Sequence, residues 1–388
     1  MSLRILHLIT RMDGGGSAVN TILCAIGQQK AGHQVTLAIG PSEESKMSTV
    51  EREQLAGRMH SFAESGGEVA VIASMKRSPG LHDIRAYREI KQVVASGFDI
   101  VHTHTSKAGV LGRLAARRGS AAVVHTPHGH IFHGYFAWLM TAAFITIERR
   151  LAAKCDVLVA LTAAERDDHL ALGIGRASQW RVIPSGVDVT GLAMQVDAWR
   201  SANGNERPWD AVSIGRLVPI KGMDRLIRAW AELKKKKPEA RLAIVGDGEE
   251  RSRLEGICRD MGLSSNVYFA GWSDPVPYLA GARAFSLLSH NEGMGRAVVE
   301  AFAAGLPCVV SDVCGLRELV TRDCGVVLDA DDAQAVAGAL LSNWDESAPS
   351  ACRQRAALYS LQKMLDDLLL LYGDLKPERA DTSARGDI

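Results

Sequence analysis

The chain is expected to fold as an α/β protein of two Rossmann-like domains, each a parallel sheet covered by helices, with the two sheets facing across an interdomain cleft. Three observations carry that expectation. Its 388 residues suffice for two domains. Short β-branched runs alternate with longer amphipathic stretches through both halves, the pattern of strand–helix–strand units. The strand runs are apolar almost throughout rather than alternating, as a sheet buried on both faces requires.

In the first half the strand runs fall at residues 3–9, 35–39, 70–72, 100–102, 122–125 and 157–161, with helical patterns over 18–31, 84–96 and 137–154. The first run breaks at Arg11 and is expected to open the sheet rather than to serve as a signal peptide. The second half repeats the grammar. Its strand runs lie at 211–214, 241–245, 267–270, 284–288 and 307–311, with helical stretches at 223–235, 249–261, 275–281, 294–304 and 333–343. The polar stretch SANGNERP at 201–208 directly precedes a new apolar strand, so the boundary is expected between Pro184 and Trp209. The expected division is an N-terminal domain over 1–190, a C-terminal domain over 209–355, a Leu-rich helix over 356–373 packing back toward the N-terminal domain, and a disordered polar tail over 374–388.

Composition narrows the function classes. Forty-five Lys and Arg against 44 Asp and Glu leave a formal charge of +1, without the basic excess of a nucleic-acid binder. With 47% hydrophobic residues the chain is too apolar to be disordered. Seven Cys, none in a C-x-x-C pair, argue against a disulfide framework or a thiolate zinc site and point to a reduced, cytosolic protein.

Ligands of such folds sit at the carboxyl ends of the strands, and the loops there carry the chemistry. Gly14, Gly15 and Gly16 follow the first strand and precede a helix, where backbone amides can approach an anion, although a flexible turn explains them equally well. The pattern is not G-x-G-x-x-G. Arg216 and Lys221, in SIGRLVPIKGMD, place two cations on one strand-to-helix loop, which suits a diphosphate; two solvated charges are the bland alternative. Glu292 and Glu300, in NEGMGRAVVEA, would lie about 12 Å apart along a helix if it began at Met294. That spans a sugar ring and the ribose of a nucleotide-sugar. Glu300 could accept from a ribose diol, and Gly293 and Gly295 would offer open amides. Helix capping for Glu292 and a solvated face for Glu300 are the alternatives, against which the apolar neighbours of Glu300 count.

These stretches resemble the retaining glycosyltransferases of family 4, whose architecture is the two-domain GT-B fold. The resemblance rests on GGGSA, IPSGVD at 183–188, GRLVPIKG at 215–222, VGDGEERSRLE at 245–255, VYFAGW, NEGMGRAVVEAFAAGLPCVVSD and GLREL, which span both domains in order. The departures are Met294 where an aromatic is usual, Arg296 where an apolar residue is usual, Ser17 and Ala18 after the first glycines, and a single glycine at Cys314–Gly315. The resemblance implies transfer of a hexose or N-acetylhexosamine, with retention, from a nucleotide-diphosphate sugar (a UDP-sugar foremost) to an acceptor hydroxyl in lipopolysaccharide, exopolysaccharide or other glycan biosynthesis. In that frame Glu300 binds the donor ribose, and Glu292 with the amides of Gly293, Met294 and Gly295 holds the sugar hydroxyls. Arg216 and Lys221 stabilise the departing diphosphate, Gly15 and Gly16 approach the phosphates from the other domain, and His128 lies near the anomeric centre. With two cations in place no metal and no cofactor is expected, and the one D-x-D, Asp329 with Asp331, lies outside the site.

Six of the 12 His fall at 102, 104, 125, 128, 130 and 133. Zinc is one reading, since His102 and His104 share a strand face, but buried hydrogen-bonded histidines beside a phosphate-facing loop are favoured. Lys107 is a candidate for an acceptor phosphate. Residues 131–147 (IFHGYFAWLMTAAFITI) make a poor membrane span and are expected to be a core helix before an interfacial surface. Between Lys76 and Arg118 nine Lys or Arg face three acids, a local basic excess that could meet anionic lipid headgroups or a lipid diphosphate, although solvated helix faces are the favoured account of most of these charges. The expected partners are therefore a nucleotide-sugar, a saccharide or lipid-linked saccharide acceptor, and peripherally an anionic membrane, at the inner face of the plasma membrane. A nucleotide-sugar epimerase of the same fold and a non-catalytic nucleotide-sugar-binding protein are the alternatives.

Overall fold

The computed structural model describes residues 2–41, 47, 49–116, 120–129, 138–204 and 206–376. Two compact units divide them: one of residues 1–160, 166–183 and 364–388, the other of 161–165 and 184–363.

In chain order the first stretch runs β1 (Arg4–Ile9), α1 (Gly16–Lys30), β2 (Gln34–Ile39), α2 (Thr49–Glu64), β3 (Glu68–Val71), α3 (His82–Val94), β4 (Ile100–His104), α4 (Ser106–Ala116), β5 (Ala122–Thr126), α5 (Trp138–Ala152), β6 (Val157–Ala160), α6 (Ala163–Ala171) and β7 (Trp180–Val182). Its seven strands are all parallel in the order β3-β2-β1-β4-β5-β6-β7. The order reverses between β1 and β4. That switch point opens a crevice at the carboxyl ends of the two strands.

The second stretch runs α7 (Val189–Ala202), β8 (Trp209–Ile214), α8 (Met223–Lys236), β9 (Leu242–Val245), α9 (Arg251–Asp260), β10 (Val267–Gly271), α10 (Val276–Ala280), β11 (Ala282–Leu287), α11 (Arg296–Ala303), β12 (Cys308–Ser311), α12 (Cys314–Arg317), β13 (Gly325–Leu328), α13 (Ala333–Leu340) and α14 (Ala348–Ala357). Its parallel order β10-β9-β8-β11-β12-β13 has the same switch, between β8 and β11. Helix α8 shows why such segments cover the sheet. Leu226, Ile227, Trp230 and Leu233 recur at helical spacing and are buried, while Arg228, Lys235 and Lys236 face outward. The last helix, α15 (Leu361–Leu375), contributes from Met364 onward to the first unit.

Several elements differ from the reading of the sequence for local reasons. Strands β7 and β13 have three and four residues with mixed exposure, too short to show a period. Helix α2 buries only Glu51 and Phe62, so it lacks an apolar stripe. Helix α11 begins two residues later than expected, because Gly295 takes a left-handed conformation at its N-cap. Helix α15 continues through Gly373 to Leu375, and residues 377–388 of the expected tail lie outside the described residues. The seven cysteines are free thiols, all but Cys314 buried.

Candidate active site

In the second unit the loops after β8 and β11 meet at the switch point. The first carries Arg216, half-buried beside the fully buried Leu217, then a single turn over Pro219–Lys221 and the left-handed Gly222, φ 59°. A Cβ at Gly222 would stand 2.2 Å from the carbonyl oxygen of Leu288, so glycine lets the loop lie against the end of β11. The His290 N–H donates to the Ile220 carbonyl at 2.8 Å and locks the two loops together. From beneath, the VGDG turn supports the Arg216 loop. Leu217 N–H donates to the Asp247 carbonyl at 2.9 Å, and Gly248 leaves no room for a Cβ against the Leu217 carbonyl.

This packing brings Lys221 to Glu292. Lys221 Nζ donates to Glu292 Oε1 in a short ion pair, and Ser289 Oγ donates to the same oxygen at 2.9 Å. The Glu292 side chain is only 9% exposed, so its charge is held by these partners rather than by water. Behind it, a Cβ at Gly315 would collide with the Glu292 carbonyl oxygen at 2.4 Å and with Gly293, so the single glycine of that turn is the one the geometry needs.

Glu292 therefore lies on the loop before α11 and not on the helix, which corrects the 12 Å helical spacing expected for the glutamate pair. Glu300 lies within α11. At about 100° per residue, the buried Val298, Val299, Ala301 and Phe302 cluster on one side, and the partly exposed Glu300 falls opposite. Its apolar sequence neighbours thus do not surround it. Met294 is a core residue, 3% exposed, whose Sδ accepts from the Ser185 N–H at 3.0 Å. Its side chain is therefore committed to the core and to the Ser185 amide. Arg296 donates to the Gly186 carbonyl at 2.6 Å. Met294 and Arg296, two of the departures from the family pattern, both hold the IPSGVD turn. Gly295 has φ 70°, and a Cβ on it would meet Leu316 at 2.3 Å. Helix α11 has no acid in its first turn, and Glu292 lies three residues before its N-cap. Asp329 Oδ1 accepts from the Asp331 N–H at 3.0 Å, and the Asp331 side chain pairs with Arg225 at 2.8 Å.

In the first unit Gly15 and Gly16 stand at the carboxyl end of β1, as N-cap and first residue of α1. The Gly15 amide donates to Asp13 Oδ1 at 2.8 Å, and Arg11 pairs with the other carboxylate oxygen. A carboxylate of the chain itself thus occupies the anion position expected for a phosphate at Gly15. Lys107 is also committed elsewhere. Its ammonium donates to the carbonyls of Lys76 and Ser78 at 2.7 and 2.6 Å and pairs with Asp83 at 2.6 Å, pinning the loop before α3. An acceptor phosphate at Lys107 would have to compete with these partners. Arg113 is buried, its Nη2 donating to both carboxylate oxygens of Glu148 at 2.7 and 2.8 Å, and so leaves the expected basic face. Arg117 and Arg118 lie outside the described residues.

His128 follows β5 with a left-handed backbone, φ 62°, and Thr105 after β4 shares that strain at φ 64°. The sequence gives little hint of what lies beneath them. His7, a single polar residue in an apolar strand, pairs in register with His102 across β1 and β4. His7, His102 and His104 form a buried layer on one sheet face, and their ring nitrogens all have hydrogen-bond partners. His102 bonds Tyr372 of α15 at 2.6 Å and Thr126 at 2.8 Å. Three ligand atoms of these histidines lie within 4.8 Å of one another, but each is already engaged with a neighbour. Burial pushes His7 down to about 4 and His102, His104 and His125 well below the ordinary histidine range. His125 lies on the other sheet face, against Thr103 and Gly109. His130 and His133 fall outside the described residues.

Residues 131–137 of the expected core segment also lie outside the described residues, and its remainder forms most of α5. Met140 and Ile147 there are exposed, so this part is a surface helix rather than a core one. Among the described residues no helix is long and apolar enough to cross a membrane.

Comparison with known proteins identifies the family and the fold. A family model described as Glycosyltransferase Family 4 matches residues 14–190, and one described as Glycosyl transferases group 1 matches residues 195–357. The chain is 31% identical over 294 residues to a UDP-Gal:alpha-D-GlcNAc-diphosphoundecaprenol alpha-1,3-galactosyltransferase of Escherichia coli, covering 72% of this chain and 76% of that one. It is 31% identical over 288 residues to a GDP-mannose-dependent alpha-(1-6)-phosphatidylinositol monomannoside mannosyltransferase of Mycolicibacterium smegmatis, covering 70% of each. The crystal structure of Anabaena HepE in complex with UDP and glucose superimposes with a TM-score of 0.75 at 20% identity, over 96% of this chain and 100% of that one. A sucrose-phosphate synthase of Thermosynechococcus elongatus superimposes at 0.77, also at 20% identity, over 97% and 99%. These structures share the two-domain GT-B fold.

Proposed function

This chain belongs to the family 4 glycosyltransferases, and on that premise we propose that it moves a hexose or N-acetylhexosamine from a UDP-sugar to a saccharide or lipid-linked saccharide hydroxyl, with retention. One observation carries the reading. Lys221 and Glu292, from loops after neighbouring strands, meet at the switch point beside the amino end of α11. There Lys221 and Arg216 take the diphosphate, the amides of Gly293, Met294 and Gly295 with Glu292 orient the sugar, and Glu300 accepts from the ribose. The C1–O bond to phosphate breaks while the acceptor oxygen bonds C1 from the same face, and the acceptor proton passes to the departing phosphate oxygen. Charge grows on that phosphate in the transition state, where fixed cations act most strongly. No metal or other cofactor enters this scheme, because the two cations supply the charge. The uridine base is favoured by the galactosyltransferase relative and by HepE; the mannosyltransferase relative uses GDP-mannose.

A panel of UDP-, GDP- and other nucleotide-sugars, screened by thermal shift, tests the donor. The cognate donor at 100 times its Kd is expected to raise the Tm by about 3–5 °C, and Glu300→Ala to erase most of that rise. No shift with any donor would overturn the assignment. Product released only in the presence of an acceptor excludes an epimerase, and anomeric analysis of that product reports retention.

We further propose that the first unit docks peripherally on anionic membrane at the cytoplasmic face, in glycan biosynthesis on lipid-linked acceptors. Leu81 and Ile84 stand exposed beside the exposed Arg85, Arg88 and Lys91 of α3. Helix α5, with Met140, Ile147, Arg149 and Arg150 exposed, packs with α3 against α4. The protein is expected to float with anionic vesicles and not with zwitterionic ones. Arg85→Ala with Arg88→Ala should lower partitioning about 30-fold, at about 1 kcal/mol per charge. Equal flotation with both vesicle types would sink the membrane contact.

A further inference from the structure

We propose that His104, His7 and Gln28 form a directional hydrogen-bond relay that fixes the ring orientation and the proton position of His128. The role of His128 toward the donor sugar rests on the function proposed above; the relay itself does not. The chain of contacts is continuous. His128 Nε2 lies 2.9 Å from His104 Nδ1, His104 Nε2 lies 2.8 Å from His7 Nδ1, and His7 Nε2 lies 2.7 Å from Gln28 Oε1.

A neutral imidazole has one donor and one acceptor, so one fixed end sets every link. With its carbonyl oxygen toward His7, Gln28 can only accept, which places the His7 proton on Nε2. His7 Nδ1 must then accept from His104 Nε2–H, and His104 Nδ1 must accept from His128 Nε2–H. The Nδ1 of neutral His128 is thereby left as an acceptor nitrogen. The order holds only while His7 and His104 stay neutral, since a proton on either would set two N–H groups against each other. Their burial supplies that condition. The groups packed around them are neutral as well: Gln28 and Cys24 from α1, Tyr372 from α15, and His102 and Thr126 from the flanking strands. His7 and His104 lie edge to edge with ring centroids 5.1 Å apart and planes 26° apart, and His102 packs on His104 with centroids 4.2 Å apart, so the relay has little freedom to rotate. His7, His104 and Gln28 touch no substrate in this account and are positioning residues. A polar strand interior and the strained backbone at His128 and Thr105 are then parts of one device that aims a side chain from the end of the sheet.

Nitrogen-15 NMR of histidine-labelled protein at pH 7 tests the relay without any substrate. His7, His104 and His128 are each expected as neutral rings with the proton on Nε2. A proton on Nδ1 or a charged ring at His7 or His104 would overturn the proposal, as would stoichiometric zinc in the purified protein. His104→Leu should mix the His128 tautomers and lower kcat about 10- to 100-fold, the range for positioning groups that orient a working histidine, with donor KM changed less than threefold. Gln28→Leu, a milder change at the far end, should move the same two readouts in the same direction and keeps the test open if His104→Leu folds poorly. Unchanged tautomers in both variants would refute the relay. His128→Ala with full activity would instead remove the donor-side role of His128 and leave the NMR result standing.

Discussion

Replacing Lys221 with methionine is expected to lower kcat about 10²- to 10³-fold, the loss typical of one preorganised group facing developing charge. The same change should weaken binding of free UDP, because the cation is lost from bound and transition states alike. Glu292→Gln is expected to behave differently. In the unliganded protein Glu292 holds Lys221 in a short ion pair, so a diphosphate must compete with a carboxylate for that cation. Removing the carboxylate's charge should leave UDP affinity equal or higher, while turnover falls because the sugar loses a charged acceptor. Calorimetric titration of UDP alongside steady-state kinetics separates the two effects. The double variant Lys221→Met with Glu292→Gln should fall short of the product of the single losses, since the residues are in contact. Weaker UDP binding in Glu292→Gln, or strictly multiplicative losses, would contradict competition for one cation.

The alternation of strands and helices is legible because a parallel sheet buried on both faces writes itself as separated apolar runs. The loops at the strand ends are legible too, since glycine and paired cations rarely coincide there by chance. The Lys221–Glu292 contact is not, because 71 residues separate the partners and the strand order that joins β8 to β11 is absent from local pattern. Glu300 shows the opposite difficulty. Its neighbours in sequence are apolar, yet on a helix they face elsewhere. Lys107 and Arg113 look like parts of a solvated basic face, and only tertiary packing reveals Asp83 and Glu148 as their partners. His7 carries the faintest signal of all. A single histidine in RILHLI gains meaning from its register with His102 and from the helices bearing Gln28 and Tyr372.

The buried histidines should also make the first unit sensitive to acid. In an unfolded chain each would take up a proton near its ordinary pKa of about 6.5. In the folded protein His7 does so only near 4, and His102, His104 and His125 are likewise held well below their ordinary value, burial being the leading cause for each. Below the ordinary pKa the unfolded state therefore binds more protons than the native state, and stability falls as pH falls. The shift of His7 alone corresponds to about 3 kcal/mol lost between about pH 6.5 and 4, a large part of a typical 5–15 kcal/mol. Stability measured by urea unfolding should be flat above about pH 7.5 and decline steeply below about 6.5, ahead of carboxylate protonation. His7→Leu supplies the control. It should be less stable at pH 7.5, since it strips hydrogen bonds from His104 and Gln28, yet its decline with acid should be shallower because one titrating group is gone. A decline of equal slope in both proteins would mean that His7 already carries its proton in the folded state, and the neutral histidine layer would have to be abandoned.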